Sequence, residues 1–261
     1  MTDSAKDRLI VALDVENANQ ALKLFDSLHD SVGMFKIGMQ LFTAVGPDVV
    51  RQIVSRGGRV FLDLKYHDIP NTVAMAAIEA TRLGVSLFNI HASGGHEMMK
   101  RTANAVAEVA TRENLAKPKV LAVTLLTSID QETLNQIGID DVPKIAVGRL
   151  AKLARESGFD GVVASAQEIE IIRESVSQPD FLIVTPGIRS ATDAAQDQRR
   201  TVTVVEAIRA GADYLVIGRP ILEAADPVRA AQDFVNEIDE ALRTTLAQPD
   251  FAEQSRTQSV Q

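Results

Sequence analysis

The sequence predicts an α/β protein built as a closed (β/α)8 TIM barrel. Short apolar runs alternate with amphipathic stretches in regular succession along residues 9–246. Most positions of the apolar runs carry hydrophobic side chains, which is typical of parallel strands covered on both faces by helices. The number of βα units is eight, in about 235 residues, and this matches the size of such a barrel.

The predicted elements follow one another without long gaps. The candidate strands, four to seven residues long, are Leu9–Val15, Met34–Gly38, Arg59–Leu64, Ser86–Ile90, Val120–Leu125, Gly161–Ala164, Phe181–Thr185 and Tyr214–Ile217. The candidate helices, with apolar residues three and four apart, are Asn17–Leu28, Met39–Ser55, Asn71–Leu83, Glu97–Arg112, Val142–Glu156, Ala166–Val176, Val202–Ala210 and Pro227–Leu246. Gly84, Gly158 and Gly211 lie between a helix and a strand, so they are predicted to end those helices in the left-handed conformation.

An open, doubly wound sheet is the alternative architecture. Its usual sequence signal is missing, because no Gly-x-Gly-x-x-Gly turn follows the first strand. We therefore expect residues 1–246 to form a single catalytic barrel domain. Residues 247–261 are mostly polar and show no periodicity, which predicts a disordered tail.

Composition narrows the possible functions. The chain has 261 residues, a formal net charge of −8 and no cysteine. The acidic balance argues against a bulk nucleic-acid binder. The lack of cysteine excludes disulfides and cysteine-ligated metals and is typical of a reducing compartment. The polar N-terminus has no signal-peptide run and no window could span a bilayer, so we expect a cytoplasmic protein without a membrane partner.

Charged residues gather where the first three predicted strands end. Asp14 ends the first strand, Lys36 lies within the second, and Asp63 and Lys65 end the third. Because side chains alternate along a strand, Asp63 and Lys65 project from the same face, and Asp68 follows on the loop. Buried ion pairs contribute little to stability, so this cluster predicts an electrostatic reaction centre. An ordinary salt-bridge network at the barrel mouth is the alternative interpretation.

A second cluster follows the last two strands. The seventh strand leads into Thr-Pro186-Gly-Ile-Arg189 and a polar loop with Gln198, and the eighth leads into Gly218-Arg219 at the start of a helix. Glycine permits close backbone approach, helix amides can bind an anion, and an arginine adds further donors. Barrel enzymes commonly bind phosphate at this place. We therefore predict that a phosphorylated substrate lies across the mouth. The alternative interpretation is that the Gly-Arg-Pro turn only starts the following helix.

Taken together, these motifs resemble the bacterial-type orotidine 5′-monophosphate decarboxylase family, from Leu9 to about Pro227. The matching segments are Val-Ala-Leu-Asp14, Phe-Lys36-Ile-Gly, Asp63-Leu-Lys65-Tyr-His-Asp68-Ile-Pro-Asn-Thr72, Leu126-Thr127-Ser128, Thr-Pro186-Gly187-Ile-Arg189, Asp197-Gln198 and Ile-Gly218-Arg219-Pro-Ile. The Asp-x-Lys-x-x-Asp part is shared with related sugar-phosphate barrels, whereas its extension Ile69-Pro70-Asn71-Thr72, together with Lys36 and Thr-Pro-Gly-Ile-Arg189, is specific. The resemblance implies a barrel similar to the ribulose-phosphate-binding barrels.

The resemblance also implies an activity. It implies a cytoplasmic lyase without cofactor or metal that converts orotidine 5′-monophosphate to uridine 5′-monophosphate and CO2, the last step of de novo pyrimidine nucleotide biosynthesis. Lys65 would stabilise a carbanion at C6 of the base and protonate it. Lys36, Asp63 and Asp68 would complete an alternating charged array. A homodimer is implied as well, in which Asp68 and Thr72 enter the partner's site.

The same resemblance assigns the residues that would bind the substrate. They are Asp14, Lys36, Asp63, Thr72, Thr127, Ser128, Pro186, Arg189, Gln198, Gly218 and Arg219. The first two would hold ribose hydroxyls, Thr127 and Ser128 would contact the base, and the last four would hold the phosphate.

Other interpretations of the same residues stay open. His67 lies beside Asp68 as a metal ligand would, although no second histidine falls at ligand spacing and Lys65 would repel a cation. A magnesium-dependent sugar-phosphate lyase would need an acidic ligand near the second strand, where this chain has Lys36. A barrel that binds nucleotide phosphate without catalysis would be expected to lack Lys65 or Asp63.

Overall fold

Eight parallel strands close into a barrel in the computed structural model, which describes residues 4–189 and 202–247. In chain order the strands are β1 (Leu9–Ala12), β2 (Met34–Gly38), β3 (Val60–Tyr66), β4 (Leu87–His91), β5 (Lys119–Val123), β6 (Gly161–Val163), β7 (Leu182–Pro186) and β8 (Tyr214–Ile217). Each strand pairs with its successor, and β8 pairs with β1. The short strands Ile188–Arg189 and Val202–Thr203 pair separately. The predicted (β/α)8 barrel is confirmed.

Helices cover the outside of the barrel. They are α1 (Ala18–Leu28), α2 (Met39–Val45), α3 (Asp48–Ser55), α4 (Pro70–Arg82), α5 (Gly95–Arg112), α6 (Gln131–Gln136), α7 (Pro143–Glu156), α8 (Ile169–Ser175), α9 (Val204–Ala210), α10 (Arg219–Leu222) and α11 (Pro227–Ala247). Gly84, Gly158 and Gly211 have φ values of +76°, +87° and +103°, so their predicted left-handed conformation is confirmed. Within the described ranges, no helix has both the length and the apolar character needed to cross a bilayer.

The structure corrects several predicted bounds. The single helix expected over Met39–Ser55 is two helices, because Gly46 has a φ of +71° and Pro47 follows it. The sequence did not predict α6, whose N-cap Asp130 accepts a hydrogen bond from Thr133 N at 2.9 Å. The fifth strand ends two residues earlier than expected, at Val123, and the third continues to residue 66. Of the predicted tail, residues 247–261, Ala247 still belongs to α11, and residues 248–261 lie outside the described residues.

The interior of the barrel is divided into an apolar layer and a polar layer. The apolar layer consists of the inward side chains Ile10, Ala12, Met34, Phe61, Leu87, Leu121, Val184, Tyr214 and Val216. Because inward positions recur every second residue, the next inward positions toward the mouth are Lys36, Asp63 and Asn89 on β2, β3 and β4. Strand periodicity therefore places polar side chains from three adjacent strands directly above a packed apolar base.

At the opposite end of the barrel, Asp213 joins three elements. Its carboxylate accepts hydrogen bonds from Ile183 N at 2.7 Å and from the Arg173 guanidinium at 2.8 Å. Arg173 also donates to Phe181 O and to Gly211 O, each at 2.7 Å. This carboxylate–guanidinium pair therefore ties α8 to the amino-terminal ends of β7 and β8, the strands that carry the predicted phosphate site.

We expect Asp213→Ala to lower the free energy of unfolding by about 1 to 3 kcal/mol, because the buried Ile183 N–H loses its acceptor and the Arg173 guanidinium loses its carboxylate partner. Chemical denaturation followed by circular dichroism measures this change. The control is Asp180→Ala, which removes an exposed ion pair with Arg155 and should have little effect. Equal losses in the two variants would contradict the role given to Asp213.

Candidate active site

Four charged side chains from the first three βα units form a continuous row at the barrel mouth. Lys36 Nζ lies 3.2 Å from Asp14 Oδ1 and 3.3 Å from Asp63 Oδ2. Lys65 Nζ lies 2.6 Å from Asp63 Oδ1. The row thus alternates carboxylate, ammonium, carboxylate and ammonium. The structure brings together the four residues that the sequence predicted to converge.

Asp63 is the most enclosed carboxylate of the row, with a side chain only 12% exposed. Burial opposes its ionisation, but Lys36 and Lys65 and a hydrogen bond from Asn89 outweigh burial and hold the pKa of Asp63 below its usual range. Asp63 is therefore a fixed negative charge near neutral pH, and it orients an ammonium on each side.

Lys65 occupies an irregular end of β3. Leu62 pairs with Phe88 and Tyr66 pairs with Ile90, so four steps along β3 correspond to two along β4. Lys65 itself has a φ of +50°, a left-handed conformation that is unfavourable for a residue with a side chain. This bulge turns the end of the strand and lets Lys65 Nζ reach the Asp63 carboxylate.

Asn89 completes the site, and the sequence analysis missed it. Its amide nitrogen donates to Asp63 Oδ1 at 2.8 Å, and its amide oxygen accepts from Lys65 N at 2.9 Å. The sequence feature that could have revealed it is its position, since Asn89 is the one polar residue inside the apolar run Leu-Phe-Asn-Ile of the fourth strand. A buried amide in a strand interior needs partners, and here both partners belong to the charged row.

A cavity of about 140 Å³ lies beside the row, between β1, β2 and the ends of β7 and β8. It brings together six of the residues predicted to bind substrate: Asp14, Lys36, Pro186, Arg189, Gly218 and Arg219. A Cβ at Gly218 would lie 3.4 Å from Ala12 Cβ and 3.5 Å from Asp14 Oδ2, so a side chain there would be in contact with two residues of the cavity lining. The two arginines make this cavity suitable for an anionic group.

Four predicted residues belong neither to the charged row nor to this cavity lining. Asp68 is exposed, and its carboxylate accepts a hydrogen bond from the following backbone N–H at 2.6 Å instead of contacting Lys65. Thr72 is exposed in the first turn of α4, and Thr127 and Ser128 are exposed in the turn after β5. A fifth predicted residue, Gln198, lies outside the described residues.

Two histidines lie next to the row. The ring centroids of His67 and His91 are 5.5 Å apart. Burial lowers the pKa of His91, and the neighbouring His67 and Lys65 lower it further. In the part of the chain that the structure describes, no three histidine, aspartate or glutamate side chains are grouped so that they could hold a metal ion.

The fold is a closed parallel (β/α)8 barrel, and the alternating charges at its mouth and the arginine-lined cavity beside them are typical of barrel proteins that bind an anionic ligand. A sequence model of the Orotidine 5′-phosphate decarboxylase / HUMPS family matches residues 7–234. The chain belongs to this family.

Individual relatives are similar to nearly the whole chain. The orotidine 5′-phosphate decarboxylases of Geobacter sulfurreducens and Geotalea daltonii are 56% identical over 236 residues and 55% identical over 237 residues. Each match covers 90% of this chain and 98% of the relative. The crystal structure of orotidine 5′-phosphate decarboxylase from Lactobacillus acidophilus superposes with a TM-score of 0.78 at 38% identity, covering 88% of this chain and 98% of that chain.

The depressed pKa of Asp63 predicts a pH-dependent contribution to stability. An ionised Asp63 favours the folded state above its unfolded pKa of about 4, and this contribution is lost as the pH falls through the lower folded value. Asp63→Asn leaves Lys36 and Lys65 without their shared carboxylate, so we expect it to lower the free energy of unfolding at pH 7 by about 3 kcal/mol. The difference between wild type and variant should narrow as the pH falls below about 4.

Urea denaturation across this pH range measures the difference. The control is Asp48→Asn, which changes an exposed carboxylate paired with Arg51 and should have little effect at any pH. The opposite result is that the free energies of unfolding of wild type and Asp63→Asn differ by the same amount from neutral to acidic pH. That result would contradict the assignment of a stabilising charge to Asp63.

Proposed function

We propose that this protein decarboxylates orotidine 5′-monophosphate to uridine 5′-monophosphate and CO2, the final step of de novo pyrimidine nucleotide biosynthesis. The observation that carries the proposal is the alternating row that ends in Lys65, beside a cavity lined by Arg189 and Arg219. Membership of the family and relatives above 50% identity support the same reaction.

The row suits the electrostatics of this reaction. Breaking the bond between C6 and the carboxylate releases CO2 and leaves an electron pair on C6, in the plane of the ring. The Lys65 ammonium stabilises that pair and then donates a proton to C6, and the resulting amine regains a proton from solvent. Because Asp63 already orients the ammonium, little reorganisation is needed when the charge develops.

Substrate binding is proposed to span the mouth of the barrel. Arg189, Gly218 and Arg219 hold the phosphate together with Gln198, and Pro186 lines the same side. Asp14 and Lys36 hold ribose hydroxyls, which leaves the base over Lys65. Thr127 and Ser128, in the turn after β5, contact the base. Contacts to the remote phosphate supply binding energy that is expressed in the transition state.

We further propose that the active unit is a homodimer with shared sites. Asp68 and Thr72 lie outside their own subunit's cavity, on an exposed face at the start of α4. The same face carries two large exposed hydrophobic side chains, Ile69 at 67% and Met75 at 53%. A second copy of the chain would cover this apolar face. Asp68 and Thr72 of each subunit would then enter the site of the other subunit.

The proposed reaction needs no metal or cofactor and takes place in the cytoplasm. A magnesium-dependent sugar-phosphate lyase of similar fold is disfavoured, since Lys36 lies between the carboxylates of Asp14 and Asp63 and its charge would repel a cation. A cysteine-free chain and a charged, phosphorylated substrate both suit a reducing intracellular compartment.

Lys65→Ala should reduce turnover by more than about 10³-fold while the protein stays folded, because the variant lacks both the proton donor and the fixed cation. The loss of absorbance of orotidine 5′-monophosphate, recorded with excess chelator, measures turnover, and wild type should be fully active under these conditions. Lys100→Ala removes an exposed lysine of α5 and serves as the control. Activity of Lys65→Ala within about tenfold of wild type, a barrier change of about 1.4 kcal/mol, would overturn the assignment.

Mixed dimers test the shared site. A dimer of one Lys65→Ala chain and one Asp68→Ala chain has one site with both lesions and one with neither if Asp68 acts across the interface. Such a dimer should regain up to about half of the wild-type activity, although each parent homodimer is inactive. The chains are co-expressed with different tags and purified in two steps.

The matched control pairs a wild-type chain with a chain that carries both substitutions. Action across the interface leaves each site of this dimer with one lesion, so it should be inactive. If Asp68 acts within its own subunit, the first mixed dimer should be inactive and this control dimer should be active. That outcome would exclude the shared site.

A further inference from the structure

The side chain of Asn89 is fully buried. It contacts both the Asp63 carboxylate and the backbone of Lys65. Its nitrogen lies 2.8 Å from Asp63 Oδ1, and its oxygen lies 2.9 Å from Lys65 N. The same Asp63 Oδ1 accepts the Lys65 ammonium at 2.6 Å. Asn89, Asp63 and Lys65 therefore form a closed ring of three contacts.

The chemistry of the two neighbours determines the orientation of this amide. The Lys65 backbone N–H can only donate, so the atom that faces it must be the Asn89 oxygen. The Asp63 carboxylate is ionised and can only accept, so the atom that faces it must be the Asn89 nitrogen. An aspartate or a leucine at position 89 could not satisfy both neighbours near neutral pH.

Asn89 is also the single residue of β4 opposite the bulge in β3. Between the pairs Leu62–Phe88 and Tyr66–Ile90, residues 63–65 face only residue 89. Lys65 has the unfavourable φ of +50° within this bulge, and the side chain of Asn89 receives its N–H. The amide therefore supports a backbone conformation that Lys65 would otherwise tend to leave.

We propose that Asn89 is a positioning residue, which aims the Lys65 ammonium by holding the Lys65 backbone and the Asp63 carboxylate at the same time. This inference rests on the proposed decarboxylation, in which Lys65 acts on C6. Because Asn89 is fully buried, it acts through its two neighbours and not by contact with substrate.

The first test is Asn89→Leu, which keeps the branching of the side chain and removes both hydrogen bonds. We expect kcat to fall by about 100-fold, as a misplaced reacting group does. KM should stay within about threefold of wild type, since the contacts to phosphate and ribose are unchanged. The control is Thr102→Val, which removes a buried hydroxyl bonded to Met98 O in α5 and should leave kcat unchanged.

A second variant provides a readout that a purely structural role would not alter. In Asn89→Asp, the new carboxyl would be buried and within hydrogen-bond distance of the Asp63 carboxylate, and both effects raise its pKa. The ammonium groups of Lys65 and Lys36 act in the opposite direction, and His91 is a further titratable group nearby. Because two carboxylates in direct contact cannot both stay ionised, we expect the pKa of the new carboxyl to be raised on balance. Strand β5 presents only Leu121 opposite this position. The protonated carboxyl can donate to Asp63 and accept from Lys65 N, so it reproduces the asparagine contacts.

The kcat of Asn89→Asp, divided by that of wild type, should therefore rise at least tenfold as the pH falls from about 8.5 to about 5.5. The measurement is made below the melting temperature of both proteins.

Amide hydrogen exchange of a peptide spanning residues 60–68 adds a readout independent of turnover, and exchange at Lys65 N should be faster in Asn89→Leu than in wild type.

The outcomes separate the inference from the proposed function. Wild type that does not turn over orotidine 5′-monophosphate refutes the proposed function, and the Lys65 exchange rate then still decides whether Asn89 holds the bulge. The positioning role is overturned if wild type is active and kcat of Asn89→Leu is unchanged. It is also overturned if Asn89→Leu raises KM without lowering kcat. Should Asn89→Leu not fold, a flat ratio of Asn89→Asp to wild-type kcat across the pH range overturns it instead.

Discussion

The Asp63 carboxylate lies almost buried at the barrel mouth, and the rest of the site is arranged around the need to keep it charged there. An unpaired carboxylate in this position would be strongly destabilising or would take up a proton. Lys36 and Lys65 each approach one of its oxygens, and Asn89 donates to the oxygen that Lys65 also uses. The geometry of both ammonium groups is therefore tied to one carboxylate.

Lys36 connects this charged row to the cavity where an anionic substrate would bind. Its ammonium contacts Asp14 and Asp63, and the residue also lines the cavity. Gly38 contributes to this arrangement, because a Cβ there would lie only 3.0 Å from Lys36 Nζ. The proposed binding and reaction sites are thus adjacent, and a substrate anchored on the β7 and β8 side would extend toward Lys65 on β3.

Much of the fold could be predicted because it depends on local patterns. Apolar runs of strand length and helices ended by glycine identify the eight βα units, and parallel strands of that number close into a barrel. The errors have local causes too: Gly46 and Pro47 divide a helix whose apolar spacing continues across them, and α6 is a short helix with a weak apolar pattern. The motifs were also sufficient to recognise the family.

The sequence by itself determined that Asp14, Lys36, Asp63 and Lys65 would meet, because they occur at strand ends and strand ends converge at one mouth. Only the tertiary structure decided how they are held. The bulge at Lys65 and the contacts of Asn89 depend on the register between β3 and β4. That register arises from packing between segments 24 and 26 residues apart, which no local pattern specifies.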